Sequence, residues 1–272
     1  MATFVQRGST RISYQVDGNG DGLVLVSGTG GDLHSNWDHL IDHFAARRKV
    51  VRVDYSGAGA TQDDGGPLRV EQLAEQVLAG ADAATLDSFD LVGYSLGAAV
   101  AVYIAANYPE RVRSLVLLAG FAYGGHSRLA LQSQLWLDLI RTDPRQFARL
   151  VLLTGFTPGF LNNLSAQDIE QWIQAICSSN SWDGIARQIE LDRCLDVRGC
   201  LEAIGQPTLV IGCENDCMVP AEHAKELAAA IRGARYVELA SGHLAPFECP
   251  GEFAGLVTDF IGRQHPVQGA SL

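Results

Sequence analysis

The 272-residue sequence has few basic residues, 20 lysines and arginines against 31 acidic residues, no long basic run stands out, and its formal net charge is −11. A chain with this charge lacks the basic surface that attracts nucleic acids and anionic membranes, so we predict neither as a partner. Long hydrophobic runs are also missing. The longest mostly apolar stretch, Leu91–Ala106, is short for a membrane span, and Gly93 and Gly97 interrupt it. Met1–Thr10 shows no charged-then-apolar signal pattern. The prediction is therefore a soluble, cytoplasmic protein.

A disulfide framework is not required, because the chain is of ordinary size and shows no signal pattern. The six cysteines are Cys177, Cys194, Cys200, Cys213, Cys217 and Cys249. Cys213 and Cys217 bracket Asp216, and Cys249 follows His243 closely, which makes a zinc site the alternative. Because C-x3-C with an isolated third cysteine is a weak metal pattern, we favour small buried thiols and predict no metal and no cofactor.

Internal repeats and low-complexity linkers are absent too, and the chain is 47% hydrophobic and 19% charged. Such a chain can bury a large core, and one domain with an insertion fits it better than two equal domains. Short apolar runs alternate with helical periodicity, which predicts an α/β fold with a mostly parallel central sheet flanked by helices. The predicted strands are Thr3–Arg7, Arg11–Val16, Leu23–Val26, Val50–Val53, Phe89–Val92, Leu115–Leu118, Thr208–Ile211 and Ala234–Leu239.

The helical patterns fall into two groups. Those between strands are Leu68–Leu86, Ala98–Tyr108 and Ala221–Ile231, with a final helix over Glu252–Ile261. A second group occupies a stretch without strand patterns and comprises Arg128–Ile140, Pro144–Leu153, Ala166–Cys177 and a helix from Ile185. We therefore predict a core formed by residues 1–120 and 205–265, a helical cap over 121–204 and a flexible tail over 266–272. Aromatic residues are frequent in the cap, which favours an apolar pocket beneath it.

The segment Gly93-Tyr94-Ser95-Leu96-Gly97 fits the pattern G-x-S-x-G between a predicted strand and a predicted helix. In that setting the pattern predicts a sharp, strained turn that presents a serine hydroxyl at the carboxyl edge of the sheet. Glycine on either side removes the Cβ atom where the chain passes close to itself. The alternative is a glycine-rich turn with a capping serine.

With this motif the sequence resembles the α/β-hydrolase superfamily, and the resemblance covers nearly the whole core on both sides of the cap. Ser27-Gly28-Thr29-Gly30-Gly31 is similar to the family's HGxG loop, with Ser27 in place of histidine. The resemblance implies that the backbone N–H groups of Thr29 and Leu96 form the oxyanion hole. Because these donors are backbone groups, the change at Ser27 does not affect their role.

The resemblance also implies the two partners of Ser95. Asp216 follows the predicted strand Thr208–Ile211, where the family's acid usually lies. Glu214 is the second candidate, and a capping aspartate is the structural alternative. His243 follows the last strand and completes the family's chain order of serine, acid and histidine. The other six histidines lack such a setting, and three of them (His34, His39 and His43) fall in one predicted helical segment at the surface.

A further departure from the family lies in Asp54-Tyr55-Ser56-Gly57-Ala58-Gly59, where Ser56 replaces the usual arginine of D-x-R-G-x-G. The family's arginine is commonly structural, so this change bears on local packing more than on function.

These features predict a serine hydrolase that cleaves a carboxylic ester, lactone or thioester of a small, largely apolar acyl substrate through an acyl-enzyme on Ser95. The stretch Ser27–Trp37 resembles the corresponding part of 3-oxoadipate enol-lactonase-like enzymes, which makes a small lactone one of the candidate substrates. Acyl transfer and C–C bond hydrolysis use the same triad and stay open. A binding module of the same fold is the non-enzymatic alternative. Specificity lies in caps and loops, so the sequence does not identify the substrate, and it leaves the oligomeric state open as well.

Overall fold

Eight strands form a single sheet in the computed structural model of the chain, which describes residues 3–178 and 181–264. The strands are β1 (Thr3–Arg7), β2 (Thr10–Asp17), β3 (Asp21–Val26), β4 (Arg48–Asp54), β5 (Phe89–Tyr94), β6 (Val112–Leu118), β7 (Thr208–Cys213) and β8 (Arg235–Leu239). Their order is β1-β2-β4-β3-β5-β6-β7-β8. The β1–β2 and β2–β4 pairs are antiparallel and the others are parallel. The predicted mostly parallel sheet is therefore confirmed, whereas the predicted tail, 266–272, lies outside the described residues.

The helices lie between and beyond these strands. They are α1 (Ile41–Ala45), α2 (Val70–Ala83), α3 (Leu96–Asn107), α4 (Ser127–Thr142), α5 (Pro144–Gly155), α6 (Pro158–Asn162), α7 (Ala166–Ser178), α8 (Trp182–Cys194), α9 (Ala221–Ala230), α10 (Ala245–Glu248) and α11 (Pro250–Gln264). Within residues 3–178 and 181–264, none of them combines the length and apolar character needed to cross a membrane.

Two apolar cores lie on opposite faces of the sheet, as parallel strands buried on both faces require. One contains α2 and α3, whose Leu73, Val77 and Val100 are fully buried. The other contains α11 and the segment around Trp37, which is also fully buried. Accordingly β3, β5 and β6 show no alternation of buried and exposed residues over Gly22–Val26, Phe89–Tyr94 and Ser114–Leu118, all of which are buried.

The stretch between β6 and β7 carries α4 to α8 and, in its described residues, no strand. These five inserted helices have two small cores of their own, one around Phe147 and Ile189 and one around Leu152 and Phe156. The helical insertion predicted from the sequence is thus present. We propose that residues 121–204 act as a cap over the carboxyl edge of the sheet.

The predicted helical segment around His34, His39 and His43 is wrong as a single helix. The chain makes turns there, then a short 3-10 helix at Asp38–Leu40 and the single turn of α1. The reason is the buried side chain of Trp37, whose Nε1 donates to Ser27 Oγ at 2.9 Å and which anchors this segment to the sheet. His39 is exposed, as predicted, and its ring stacks on Phe247.

Candidate active site

Ser95 stands on the turn between β5 and α3 with φ 55° and ψ −118°, a strained conformation for a residue other than glycine. The surrounding glycines make the turn possible. A Cβ atom on Gly93 would lie 2.3 Å from the carbonyl oxygen of Gly97, and one on Gly97 would lie 2.3 Å from that of Val26. The backbone N–H of Ser95 donates to Leu118 O at 2.9 Å, which ties the turn to β6. The geometry is that of the nucleophile elbow predicted from G-x-S-x-G.

Ser95, His243 and Asp216 meet in one hydrogen-bonded row. His243 Nε2 lies 3.1 Å from Ser95 Oγ, and His243 Nδ1 lies 2.6 Å from Asp216 Oδ2. With Nδ1 protonated, the imidazole donates to the carboxylate and accepts from the serine hydroxyl. All three residues are buried, at 8%, 5% and 7% exposure in the order named. The row therefore has the geometry of a nucleophile, a base and an orienting acid.

Asp216 is held by its own turn. Its Oδ1 accepts from the backbone N–H groups of Met218 and Val219, at 2.8 and 2.7 Å. Oδ2 is left for His243, so each carboxylate oxygen has a separate task. Glu214, the second candidate acid, has an exposed side chain, and the carboxylate that contacts His243 is that of Asp216.

The loop carrying Thr29 passes directly beside Ser95. A Cβ atom on Gly28 would lie 3.0 Å from Ser95 Cβ. Leu96 is the first residue of α3, so its N–H has no carbonyl partner within the helix. Among the described residues, neither the Thr29 N–H nor the Leu96 N–H has a hydrogen-bond acceptor, so both are free to donate.

Two side chains of α8 hold this loop from the other side. Gln188 Oε1 accepts from the backbone N–H of Gly30 at 2.8 Å, and Asp192 Oδ2 lies 2.7 Å from Thr29 Oγ1. The two residues are one helical turn apart and therefore share a face of α8. Neither residue was predicted from the sequence, because in a helix of mixed charge nothing distinguishes them from solvent-facing residues.

The two residues that depart from the family's pattern, Ser27 and Ser56, both have hydrogen-bond partners within the protein. Ser27 Oγ donates to Asp32 O at 3.1 Å and accepts from Trp37 Nε1, so it braces the loop that carries Thr29. Ser56 Oγ accepts from Gln76 Nε2 at 2.9 Å, and its backbone N–H donates to Gln76 Oε1 at 2.7 Å. The Ser56–Gln76 pair thus holds the segment where the family has an arginine.

A cavity of about 270 Å³ opens above Ser95 and His243. Its lining is mainly apolar and includes Phe121, Trp136, Phe147 and Trp172, whereas other aromatics of the inserted helices pack against one another. Two buried polar atoms of lining residues have no hydrogen-bond partner in the described part of the chain, Asp192 Oδ1 and Trp136 Nε1. The cavity therefore suits a small, mostly apolar molecule with few polar groups.

The alternative of a zinc site at Cys213, Cys217 and Cys249 finds no support in the geometry. Both ring nitrogens of His243 are engaged by Asp216 and Ser95, and burial raises the pKa of Cys213, which favours the thiol. Among the described residues, the one group of three or more potential ligands within reach of a common ion is His126, His223 and Glu226, which does not include the predicted cysteines.

With this geometry established, the comparisons identify the class of protein. The chain belongs to the α/β-hydrolase-fold family, whose model matches residues 22–250. A pyrrolizixenacetamide deacetylase of Xenorhabdus hominickii is 48% identical over 257 residues, which cover 94% of this chain and 97% of that protein. A putative carbamate hydrolase, RutD, of Azorhizobium caulinodans is 27% identical and covers 96% of this chain and 98% of its own length. The enol-lactonase from Burkholderia xenovorans LB400 superposes with a TM-score of 0.86 at 27% identity, over 95% of this chain and 99% of that one.

Proposed function

We propose that this chain is a serine hydrolase that cleaves a carboxylic ester or amide of a small, largely apolar substrate through an acyl-enzyme on Ser95. One observation carries the proposal: the Ser95–His243–Asp216 row lies at the floor of a mainly apolar cavity. The family and its relatives with hydrolase names support hydrolase activity on esters or amides. The 48% identical relative is named for deacetylation of an acetamide, so we add amides to the esters, lactones and thioesters expected from the sequence.

The mechanism follows from the positions of these groups. His243 Nε2 removes the proton of Ser95 Oγ as the oxygen forms a bond to the carbonyl carbon of the substrate. The negative charge that develops on the carbonyl oxygen is stabilised by the N–H groups of Thr29 and Leu96. His243 then gives the proton to the departing alcohol or amine. Water attacks the acyl-enzyme with the same base, which releases the acid and restores the Ser95 hydroxyl.

The nucleophile is tested by covalent labelling. We expect a fluorophosphonate probe to label the wild type, to fail on Ser95→Ala and to react far more slowly with His243→Ala. The matched control is Ser133→Ala, because Ser133 also lines the cavity but donates its hydroxyl to Leu129 O at 2.7 Å. Labelling that survives in Ser95→Ala, or that is undiminished in His243→Ala, would contradict the proposal.

The reaction type is tested by product analysis. Wild-type protein is offered p-nitrophenyl esters of graded acyl length, lactones, acyl thioesters and acetanilides, with and without an added alcohol as acceptor. We expect free acid as the main product, a preference for short apolar acyl groups and a rate unchanged by EDTA. An ester of the added alcohol as main product would identify an acyltransferase instead, and turnover of β-diketone-like acids alone would identify a C–C hydrolase.

A further inference from the structure

Asp192 is the one carboxylate that lines the cavity among the described residues, and no lysine or arginine of the described chain lines it. It lies in the last turn of α8, and the lining of the cavity is mainly apolar. A carboxyl group in such surroundings is costly unless a partner compensates it. The partner is therefore to be sought within the protein or in the ligand.

The protein supplies a partner for one oxygen only. Asp192 Oδ2 lies 2.7 Å from Thr29 Oγ1, whereas Oδ1 is buried and has no hydrogen-bond partner in the described residues. Burial raises the pKa of Asp192 from its ordinary value of 3.8 to about 7, against the lowering effect of the Thr29 hydroxyl. The group therefore lacks the nearby cation that would hold it ionised in the free protein.

The contact between Asp192 Oδ2 and the Thr29 hydroxyl does not explain why Oδ1 is buried without a partner. A single acceptor suffices for the Thr29 hydroxyl, and an asparagine or a threonine at 192 would provide it without a desolvated acid. In the ionised form, which prevails above about pH 7, Oδ1 is an unpaired buried acceptor, and such a group costs about 1–3 kcal/mol. Its position at the lining of the cavity indicates that the missing donor arrives with the ligand.

We propose that Asp192 binds a hydrogen-bond-donating nitrogen of the substrate, an amide N–H or an ammonium group, and so selects nitrogen-bearing acyl compounds. The proposal rests on the proposed function, because it places the substrate in the same cavity as Ser95. Trp136 Nε1, the other unpartnered polar atom of the lining, is a donor, so a substrate carbonyl outside the scissile bond is the matching acceptor there.

Matched acetate esters test the selection at a constant scissile bond. 2-(Dimethylamino)ethyl acetate, protonated at pH 7, is compared with its carbon isostere 3-methylbutyl acetate. 2-Acetamidoethyl acetate is compared with 4-oxopentyl acetate, which differs by one NH replaced by CH2. The first pair reports on an ammonium and the second on an amide N–H. We expect kcat/KM to favour the nitrogen member of at least one pair by about tenfold, as a hydrogen bond to a charged group allows. Equal kcat/KM in both pairs overturns the proposal.

Asp192→Asn sharpens the test. Asparagine can keep an oxygen acceptor for Thr29 while it replaces the free Oδ1 with an NH2 donor, which repels a donor nitrogen. In this variant we expect the preference of kcat/KM for the nitrogen-bearing ester to disappear in whichever pair the wild type shows it. Asp183→Asn is the matched control, because Asp183 is an exposed carboxylate in the first turn of the same helix, and it should keep the wild-type preference. A preference that survives in Asp192→Asn overturns the proposal.

Binding to Ser95→Ala separates this inference from the proposed function. Calorimetry with the same four acetates measures recognition without turnover. Tighter binding of a nitrogen member, lost in Ser95→Ala/Asp192→Asn, supports the role of Asp192 even if the wild type turns over none of the four. Equal binding of both members contradicts it, whether or not the wild type is active.

Discussion

At the scale of single residues, the sequence offers two acids for the row. A motif predicts Ser95 and the chain order predicts His243, and in the structure His243 Nε2 lies 3.1 Å from Ser95 Oγ. Asp216 and Glu214 are two positions apart on one loop, and only burial separates them. The carboxylate that the fold turns inward is the one that the two N–H groups of Met218 and Val219 hold in place.

We expect Asp216→Asn to lower kcat by about four orders of magnitude. Asparagine can present an N–H to His243 Nδ1, which favours the tautomer in which Nε2 is protonated and cannot accept from Ser95. The measurement is steady-state kinetics on the best ester of the panel, with circular dichroism to check folding. Glu214→Gln is the control and should stay within a few-fold of wild type. A mild Asp216→Asn together with a severe Glu214→Gln would reverse the assignment.

Asp192 gives a second prediction at this scale. Its pKa is raised from 3.8 to about 7, so in this range the folded protein holds a proton that the unfolded chain releases. Stability from this group is therefore present below about pH 4 and is lost as pH rises towards 7. The full change corresponds to about 4 kcal/mol.

We therefore expect Asp192→Asn to gain stability relative to wild type as pH rises. The quantity to measure is the difference in free energy of unfolding between the two proteins, by urea denaturation at pH 4 and pH 8. The difference should move in favour of the variant by a few kcal/mol between these values. A difference independent of pH would show that Asp192 titrates normally and is not isolated from solvent.

At the scale of elements, α10 links the His243 loop to the inserted helices. The Glu248 carboxylate accepts from the backbone N–H groups of Gly242 and Thr157, each at 3.1 Å, and from the Thr157 hydroxyl. The N–H of Leu244 donates to Gly155 O at 2.8 Å nearby. The loop that carries His243 is therefore held in place by the junction between α5 and α6.

Glu248→Ala should therefore lower both stability and turnover. Loss of hydrogen bonds to a charged group is expected to reduce the free energy of unfolding by about 2–4 kcal/mol and kcat by about tenfold, with a smaller effect on KM. Glu252→Ala, an exposed site in the first turn of α11, serves as the control in both assays. An unchanged kcat in a destabilised Glu248→Ala protein would mean that the His243 loop is held without this carboxylate.

The elements themselves were largely predictable, and their errors have physical reasons. Strand centres were correct, but β3, β4 and β6 begin two or three residues earlier than predicted, because polar residues at strand ends still pair in the ladder. The short helices α6 and α10 carry too little periodicity to be recognised. The pairing of β2 with β4 is a non-neighbouring contact that no local pattern encodes.

At the scale of the whole molecule, a buried charge cluster connects three strands at the end of the sheet opposite the active site. The Asp90 carboxylate on β5 is fully buried and accepts from Ser114 Oγ at 2.7 Å and Arg113 Nη2 at 3.0 Å, and it also pairs with Arg48. The three partners come from β4 and β6, so the cluster crosses the central strands far along β5 from Ser95.

We expect Asp90→Asn to lower global stability without changing catalysis. Removing one member of a buried pair costs about 3 kcal/mol, because its partners lose their compensating charge. For a domain of this size the expected fall in Tm is about 6–12 °C. Calorimetric Tm and kcat at 25 °C are the measurements, with the exposed Asp87→Asn as control. A large loss of kcat below the transition would contradict the separation of this cluster from the active site.

Local patterns suffice for the nucleophile turn and for the alternation of strands and helices, because each depends on neighbours in the chain. Gly93 and Gly97 are required by contacts within a few residues of Ser95 or with the strand beside it. The acid that faces His243, the neighbour of each strand and the burial of Asp192 were decided by packing between remote segments. Asp192 lies 163 residues from Thr29 in the chain, and only the folding of α8 against the loop that carries Thr29 removes its carboxyl group from water.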